Sequence, residues 1–465
     1  MNSPTIWIIA PAVIAVLLIL VRNQRALSLI GGTAAVLLAA SAQFIPTEEA
    51  LKVGALSFRI ESSLSVLGRE LLIKPEEGPL LALIFGGTAL WFFGAEASKS
   101  ALRFAPLGLL ITALMVASIA VEPFLFAALF IEMAVLLAVP LLAGADQPPG
   151  RGVVRFLIYQ TLAMPFILIS GWLLAGVEVS PGNLALAGQA AAVLGLGFAF
   201  LLAIFPLYNW IPMLLEETHP FVVGFLLWII PTITLIFGAG FIDRYSWLRT
   251  SPELTTALQF SGLLMLVTGG LWAAFQNHLG RIMAFGSIAD TGFCLLALSL
   301  DLRLGIPILF LLLPARALAL AVWSLSLTIL REQSKTMRFG ETRGLLRRFP
   351  FASAGLVLAS LSTSGLPLLA GFPARLALWD ALARVSLDAA LWMGIGIVGL
   401  FTASFRSLAV LSMADEYTGW EVGENWLQGI MLGLGMIGLF VLGLFPQAVQ
   451  FFLTDLPAMF EHLGR

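Results

Sequence analysis

Apolar runs of membrane-crossing length follow one another along almost the whole chain, and polar residues are confined to the gaps between them. A helix needs about 17–25 mostly apolar residues to cross a bilayer. Runs of that kind centre near residues 13, 35, 85, 110, 132, 165, 195, 230, 265, 290, 317, 365, 398 and 438. The pattern predicts an all-α integral membrane protein of about 14 transmembrane helices, because an isolated spanning segment must satisfy its own backbone. The first run, residues 6–21, has no basic residue before it and no small-residue cleavage site after it, and reads as a span. Two connections are long. Residues 45–76 are polar enough to lie at a membrane surface, and residues 331–350 are strongly basic.

Two of the runs are interrupted. "LLAIFPLYNWIPMLLEETHPF" (201–221) and "LSTSGLPLLAGFPARL" (361–376) both carry proline inside an apolar stretch, the second with glycines as well. Each lies fourth, after three intact spans, in a block of five, which predicts two five-helix repeats with a discontinuous helix in each, at spans seven and twelve. Paired broken helices at matching positions mark a transport site near the bilayer midplane, since freed backbone at that depth must line protein or water. The implied organisation is an N-terminal three-helix region (1–100), a first five-helix repeat (101–245), a second (254–411) and a C-terminal helix and tail (412–465).

Composition agrees: 59% of residues are hydrophobic and 11% charged, with a mean hydropathy of +0.98. A soluble chain is about 45–50% apolar and about 25% charged. A net charge of −2 argues against nucleic-acid binding. One cysteine, Cys294, and three histidines leave no disulfide framework, multi-thiolate site or haem or zinc ligation to expect, and no cofactor or metal site is read. Basic residues are more numerous in the short loops that follow odd-numbered spans and in 331–350, where Arg331, Lys335, Arg338, Arg343, Arg347 and Arg348 gather. The positive-inside rule makes that side cytoplasmic and puts both termini, Arg465 included, on the other. The chain is therefore expected in a prokaryotic-type inner or plasma membrane.

An ionisable group inside a span is costly and is a functional candidate by default. Glu132 is the first, alone in "FLFAALFIEMAVLLAVPLL". Arg155 opens the next span, either as a partner near Glu132 or as a cytoplasmic anchor. Glu216 and Glu217 follow the first break and can share a proton or simply complement a helix end. His219 can relay protons or serve as a turn residue. Asp290, in "GSIADTGFC", can load a proton or pair with Arg281. Arg316 and Arg375 lie in apolar runs as fixed charges, since arginine does not release its proton.

These motifs resemble the proton-conducting antiporter-like subunits of complex I, of membrane hydrogenases and of Mrp-type cation/proton antiporters, over residues 100–410. "GFAFLLAIFPLYNWIPMLLEETHPFVVGF" is similar to the family's Phe-Lys-x-x-x-x-Pro-x-His-x-Trp-x-Pro broken helix, "QNHLGRIMAFGSIADTG" to its Gln-x-Asp-x-Lys-Arg-x-x-Ala-Tyr-Ser-Ser-Ile-x-His-x-Gly, and "SGLPLLAGFPARL" to its Gly-x-Pro-Pro-x-x-Gly-Phe-x-x-Lys. The resemblance carries a proton path onto Glu132, Arg155, Glu216 and Arg375; with the hydroxyls and the intramembrane charges, the expected path comprises Glu132, Arg155, Glu216, Tyr208, Thr232, Asp290, Arg316 and Arg375. It also implies other membrane subunits as partners besides the lipid bilayer, and protons, or Na+, as the transported ion.

The departures are specific. The resemblance places Leu201 and Thr232 where the family has lysine, or for Thr232 lysine or histidine. Tyr208 and Asp290 stand in usual histidine positions, and Arg375 where the family has lysine or glutamate. The chain has four lysines, at 52, 74, 99 and 335, all outside the spans. The leading expectation is a proton-translocating, non-redox membrane subunit of an NADH:quinone oxidoreductase-like, hydrogenase-like or Mrp-like complex. The alternatives are a structural subunit that has lost its lysine relay, and a membrane subunit of an ion-coupled inorganic-carbon uptake complex.

Overall fold

The computed structural model describes residues 2–463 except 46, 49, 54–55, 67, 145–147, 181, 335, 414–418, 421 and 449–452, and the backbone alone for 50–53 and 56–58. Lys335 and Arg465, and the side chain of Lys52, lie outside the described residues.

Helices α1 (Ala10–Leu18), α2 (Gln24–Phe44), α3 (Gly78–Phe93), α4 (Phe104–Ala120), α5 (Ala127–Leu142), α6 (Arg151–Val179) and α7 (Leu184–Leu201) lead to the first break. After it come α8 (Trp210–Glu217), α9 (Pro220–Arg244), the short α10 (Ser246–Arg249), α11 (Pro252–Phe275), α12 (Leu279–Leu298) and α13 (Leu302–Arg331). The short α14 (Leu345–Arg348) precedes α15 (Pro350–Ser364), the second break, α16 (Phe372–Val385), α17 (Leu387–Ser412) and α18 (Trp426–Leu444). Among the described residues, ten helices are long and apolar enough to cross a membrane. The fold is that of a helical membrane protein. The loop expected at 45–76 is in part sheet: β1 (Ala50–Val53) pairs with β2 (Leu56–Arg59), and β3 (Ser63–Val66) with β4 (Arg69–Leu72), which also pairs with β5 (Val121–Glu122). Short polar–apolar alternation next to glycine carried that signal, and helical periodicity elsewhere obscured it.

Burial sorts the helices into a centre and a rim. The spanning windows of α9 and α12 are each 94% buried and that of α13 72%, whereas α7 and α18 are 28% and 17% buried. Helix α9 is apolar all round, as a helix without a solvent or lipid face should be. Where helices approach closely the contact residue is glycine: a Cβ on Gly270 would strike the backbone of Gly396.

Both breaks have a local cause. Helix α7 stops at Leu201, Ala203 takes a left-handed conformation (φ 53°), and Pro206 lies in the gap before Trp210. Helix α15 ends on Gly365 (φ 86°), a left-handed cap that glycine adopts without steric cost. Leu368 follows at φ 75°, and α16 restarts with Pro373 in its first turn.

Candidate functional site

The two breaks lie at the edge of the α9–α12–α13 centre, and the second holds a buried cluster of charges. Asp290 of α12 lies between two arginines: its Oδ1 accepts from Arg375 Nη2 of α16 at 2.5 Å, and its Oδ2 lies 3.3 Å from Arg316 Nη1 of α13. The second contact is a charge pairing without hydrogen-bond geometry. Asp290, Arg316 and Arg375 are all at least 95% buried (4%, 2% and 5% exposed), so a charge lost from any of them leaves the others desolvated. Arg316 Nη2 also donates to Leu227 O (2.9 Å) and Thr291 Oγ1 (3.1 Å). Arg375 stacks on the Phe293 ring, 4.6 Å from its centroid.

The broken helix builds this centre. Arg375 Nη1 donates to Ser362 O (3.2 Å), a carbonyl near the end of α15, and Ser362 Oγ accepts from Gly371 N (3.1 Å) across the break. A Cβ on Gly371 would collide with Ser362 O and the Arg375 guanidinium, so the turn needs glycine at that position.

The first break carries no charge at its core. Leu201 is 1% exposed, and its carbonyl accepts from Gln160 Nε2 of α6 at 3.3 Å. Thr232 is fully buried and its hydroxyl makes no hydrogen bond within the described chain. Tyr208 is half-buried with its ring edge-on to Phe285, centroids 6.0 Å apart. A cavity of about 20 Å³ lies between Leu201, Trp210, Thr291 and Arg316, and so joins the first break to the charged centre. That is room for one water-sized species.

Glu132 stands apart on α5. Its Oε1 accepts from Thr161 Oγ1 of α6 at 2.9 Å, while its Oε2 is buried without a partner in the chain. Arg155 does not reach it. Arg155 is exposed and directs Nη1 to Met213 Sδ at 3.1 Å, and among the described residues no bond joins it to Glu132. The expectation that Asp290 can pair with Arg281 is also corrected, because Arg281 belongs to Glu216. Arg281 Nε lies 2.6 Å from Oε1 and Nη2 donates to Oε2 at 2.9 Å. Glu217 turns the other way and accepts from Gly152 N (2.7 Å) at the start of α6, so the adjacent carboxylates do not share a proton. One face of a helix separates consecutive residues too far for that.

Sequence reasoning placed Arg331 only as a cytoplasmic anchor. It caps the far end of the first broken helix, donating to the carbonyls of Glu216 (3.0 Å) and Thr218. A basic residue in the last turn of a long helix was the available signal, but only packing decides which carbonyls it meets. His219 Nε2 lies 3.1 Å from Ser98 O; burial pushes the imidazole down to about 4, against the opposing pull of that carbonyl. It is thus neutral at physiological pH. His278 caps α12, accepting from Arg281 N at 3.3 Å. Among the described residues no group of His, Cys, Asp and Glu is arranged to hold a metal ion.

The molecule is thus an integral membrane protein with two interrupted helices around a buried ion centre. The NADH:quinone oxidoreductase/Mrp antiporter transmembrane family model matches residues 173–406, half of the chain, and the chain belongs to that family. Subunit 14 of the NADH-quinone oxidoreductase of Thermus thermophilus is 30% identical over 330 residues, covering 67% of this chain and 72% of the relative. Chain 4 of the NAD(P)H-quinone oxidoreductase of a Synechococcus strain is 28% identical over 277 residues, 56% of this chain, and the match spans only about half (52%) of that relative. A chain of the archaeal membrane-bound sulfane sulfur reductase has the same fold, with a TM-score of 0.81 at 18% identity over 97% of both chains.

Proposed function

We propose that the chain is a proton-translocating, antiporter-like membrane subunit of a multi-subunit complex, with its charge centre in the second half. The reading takes 14 crossings in two inverted five-helix repeats (101–245 and 254–411), flanked by 1–100 and 412–465. Both termini face the non-cytoplasmic side of a prokaryotic-type plasma membrane. The observation that carries it is Asp290, buried between Arg316 and Arg375 at the second broken helix. Arginine keeps its proton, so in this centre Asp290 is the group that exchanges one while the guanidiniums are fixed charges. Each carboxylate oxygen faces a guanidinium, so protonation competes with both ion pairs. Loading a proton is therefore coupled to release of one arginine. Arg375 is the candidate to move, since it sits on the half-helix beyond the break. Glu132 with Thr161, Glu216, Tyr208 and Thr232 belong to the first half of the path, and Arg155 to its cytoplasmic rim.

A second reading has its own support. Leu201 is apolar where the family resemblance expects lysine, and among the described residues no ion pair is made by Glu132. A pump relative kept as a scaffold would look this way. The two readings separate on Asp290→Asn and Glu132→Gln in the assembled complex, reconstituted in vesicles with a pH-sensitive dye and a Na+ indicator. Translocation predicts that each variant stops ion movement per turnover, measured per assembled subunit. Undiminished movement in both assigns the chain to the scaffold.

A further inference from the structure

The charged centre is not balanced. Arg316 and Arg375 contribute two positive charges against the single carboxylate of Asp290, and among the described residues no second carboxylate pairs with either arginine. Cys294, one helical turn further along α12, is a free buried cysteine and supplies no carboxylate. A net positive charge at membrane depth is costly unless an opposite charge meets it. A side chain of a neighbouring subunit cannot supply it, because Arg316 and Arg375 are 2% and 5% exposed within this chain alone. The compensating charge must therefore be small enough to enter.

The cavity joining the two breaks offers the place. It is lined by Gln160, Leu201, Trp210, Ser287, Thr291 and Arg316, among others, and its volume of about 20 Å³ admits one water-sized species. Two of its lining side chains carry a donor that makes no hydrogen bond among the described residues, Arg316 Nε and Trp210 Nε1, from side chains 2% and 5% exposed, while Arg316 Nη1 has only its charge contact with Asp290. Thr291 Oγ1 is occupied by Arg316 Nη2 and Ser287 O, which holds the guanidinium against the cavity wall. Gln160 gives Nε2 to Leu201 O and leaves Oε1 without a partner. The apolar Leu201 adds no charge that would compete.

We propose that this cavity binds one small monovalent anion, of chloride size, whose charge compensates the excess of the Arg316–Asp290–Arg375 centre. The site is independent of whether the chain conducts protons, and its test reads stability. The full-length chain, extracted with its co-purifying partners, is unfolded thermally with tryptophan fluorescence as the readout. Chloride is compared with the bulky anion gluconate at equal pH and ionic strength. Chloride should raise the midpoint by about 2 °C in the wild type. Arg316→Gln should abolish that difference. Asp290→Asn should enlarge it, because removing the resident carboxylate leaves more charge to compensate; a merely structural role would give no such gain. Leu201→Phe, which fills the cavity and leaves every charge in place, should also abolish it, and decides the matter if Arg316→Gln does not accumulate. Equal midpoints in chloride and gluconate for the wild type, as a bound water would give, overturn the proposal. So does a chloride effect that survives Leu201→Phe.

Discussion

The two broken helices solve one backbone problem with different chemistry. At the first, between Leu201 and Trp210, the freed carbonyl of Leu201 is met by a neutral amide, Gln160, and the surroundings are apolar with a small cavity. At the second, between Ser364 and Phe372, the carbonyl of Ser362, which also accepts from Gly365 N, is met by a guanidinium that clamps Asp290. A break therefore does not require a charge. What it requires is a donor, and the choice of donor decides whether the site can hold an ion. Arg316 lines the cavity at the first break, reaching it from α13 of the second half. The position resembling the family's lysine is apolar, and the positive charge beside it is supplied from across the structure.

The sharpest way to break this contrast is Asp290→Ala. It strands two buried guanidiniums, and removal of one partner from a buried ion pair costs about 3–5 kcal/mol. The amount of folded chain in membranes should fall severely, whereas Glu132→Gln, which removes no ion pair, should leave it near wild type. Equal loss in both would show that the two regions are not electrostatically distinct.

A second test asks whether the charge has moved. Leu201→Lys places a second cation against Arg316, and a charge at membrane depth costs at least about 2.5–3.5 kcal/mol. The single variant should accumulate poorly, and the double variant Leu201→Lys with Arg316→Gln should recover a large part of the loss, a coupling that unrelated sites do not show. Simple additivity of the two changes would disprove the exchange.

The smallest effect concerns the end of the first broken helix, where His219 titrates and the second break has no histidine. Its folded-state value, about 4, lies below the ordinary 6.5. The unfolded chain therefore binds more protons between these values. The stability it contributes is complete above pH 6.5 and is lost as pH falls toward 4. Thermal midpoints should drop across that window, by the equivalent of at most about 3 kcal/mol. His219→Gln should flatten the drop, and an unchanged profile would remove His219 from the account.

Much of this was legible in the chain itself. Apolar run length required membrane helices, because the bilayer offers the backbone no other partner. Pro206, Gly365 and Pro367 marked both interruptions, because proline lacks a donor and glycine alone takes the left-handed turn cheaply. Glu132, Asp290, Arg316 and Arg375 stood out as charges inside apolar runs. The sequence could also state what was missing, a lysine inside any span. It could not pair these groups. Asp290, Arg316 and Arg375 come from three helices separated by up to 85 residues, and Arg281 was as plausible a partner along the chain until packing gave it to Glu216. Run length and turn chemistry are local properties that each segment carries alone. The partner of a buried charge is set by which helices pack together, and only the tertiary structure decides that.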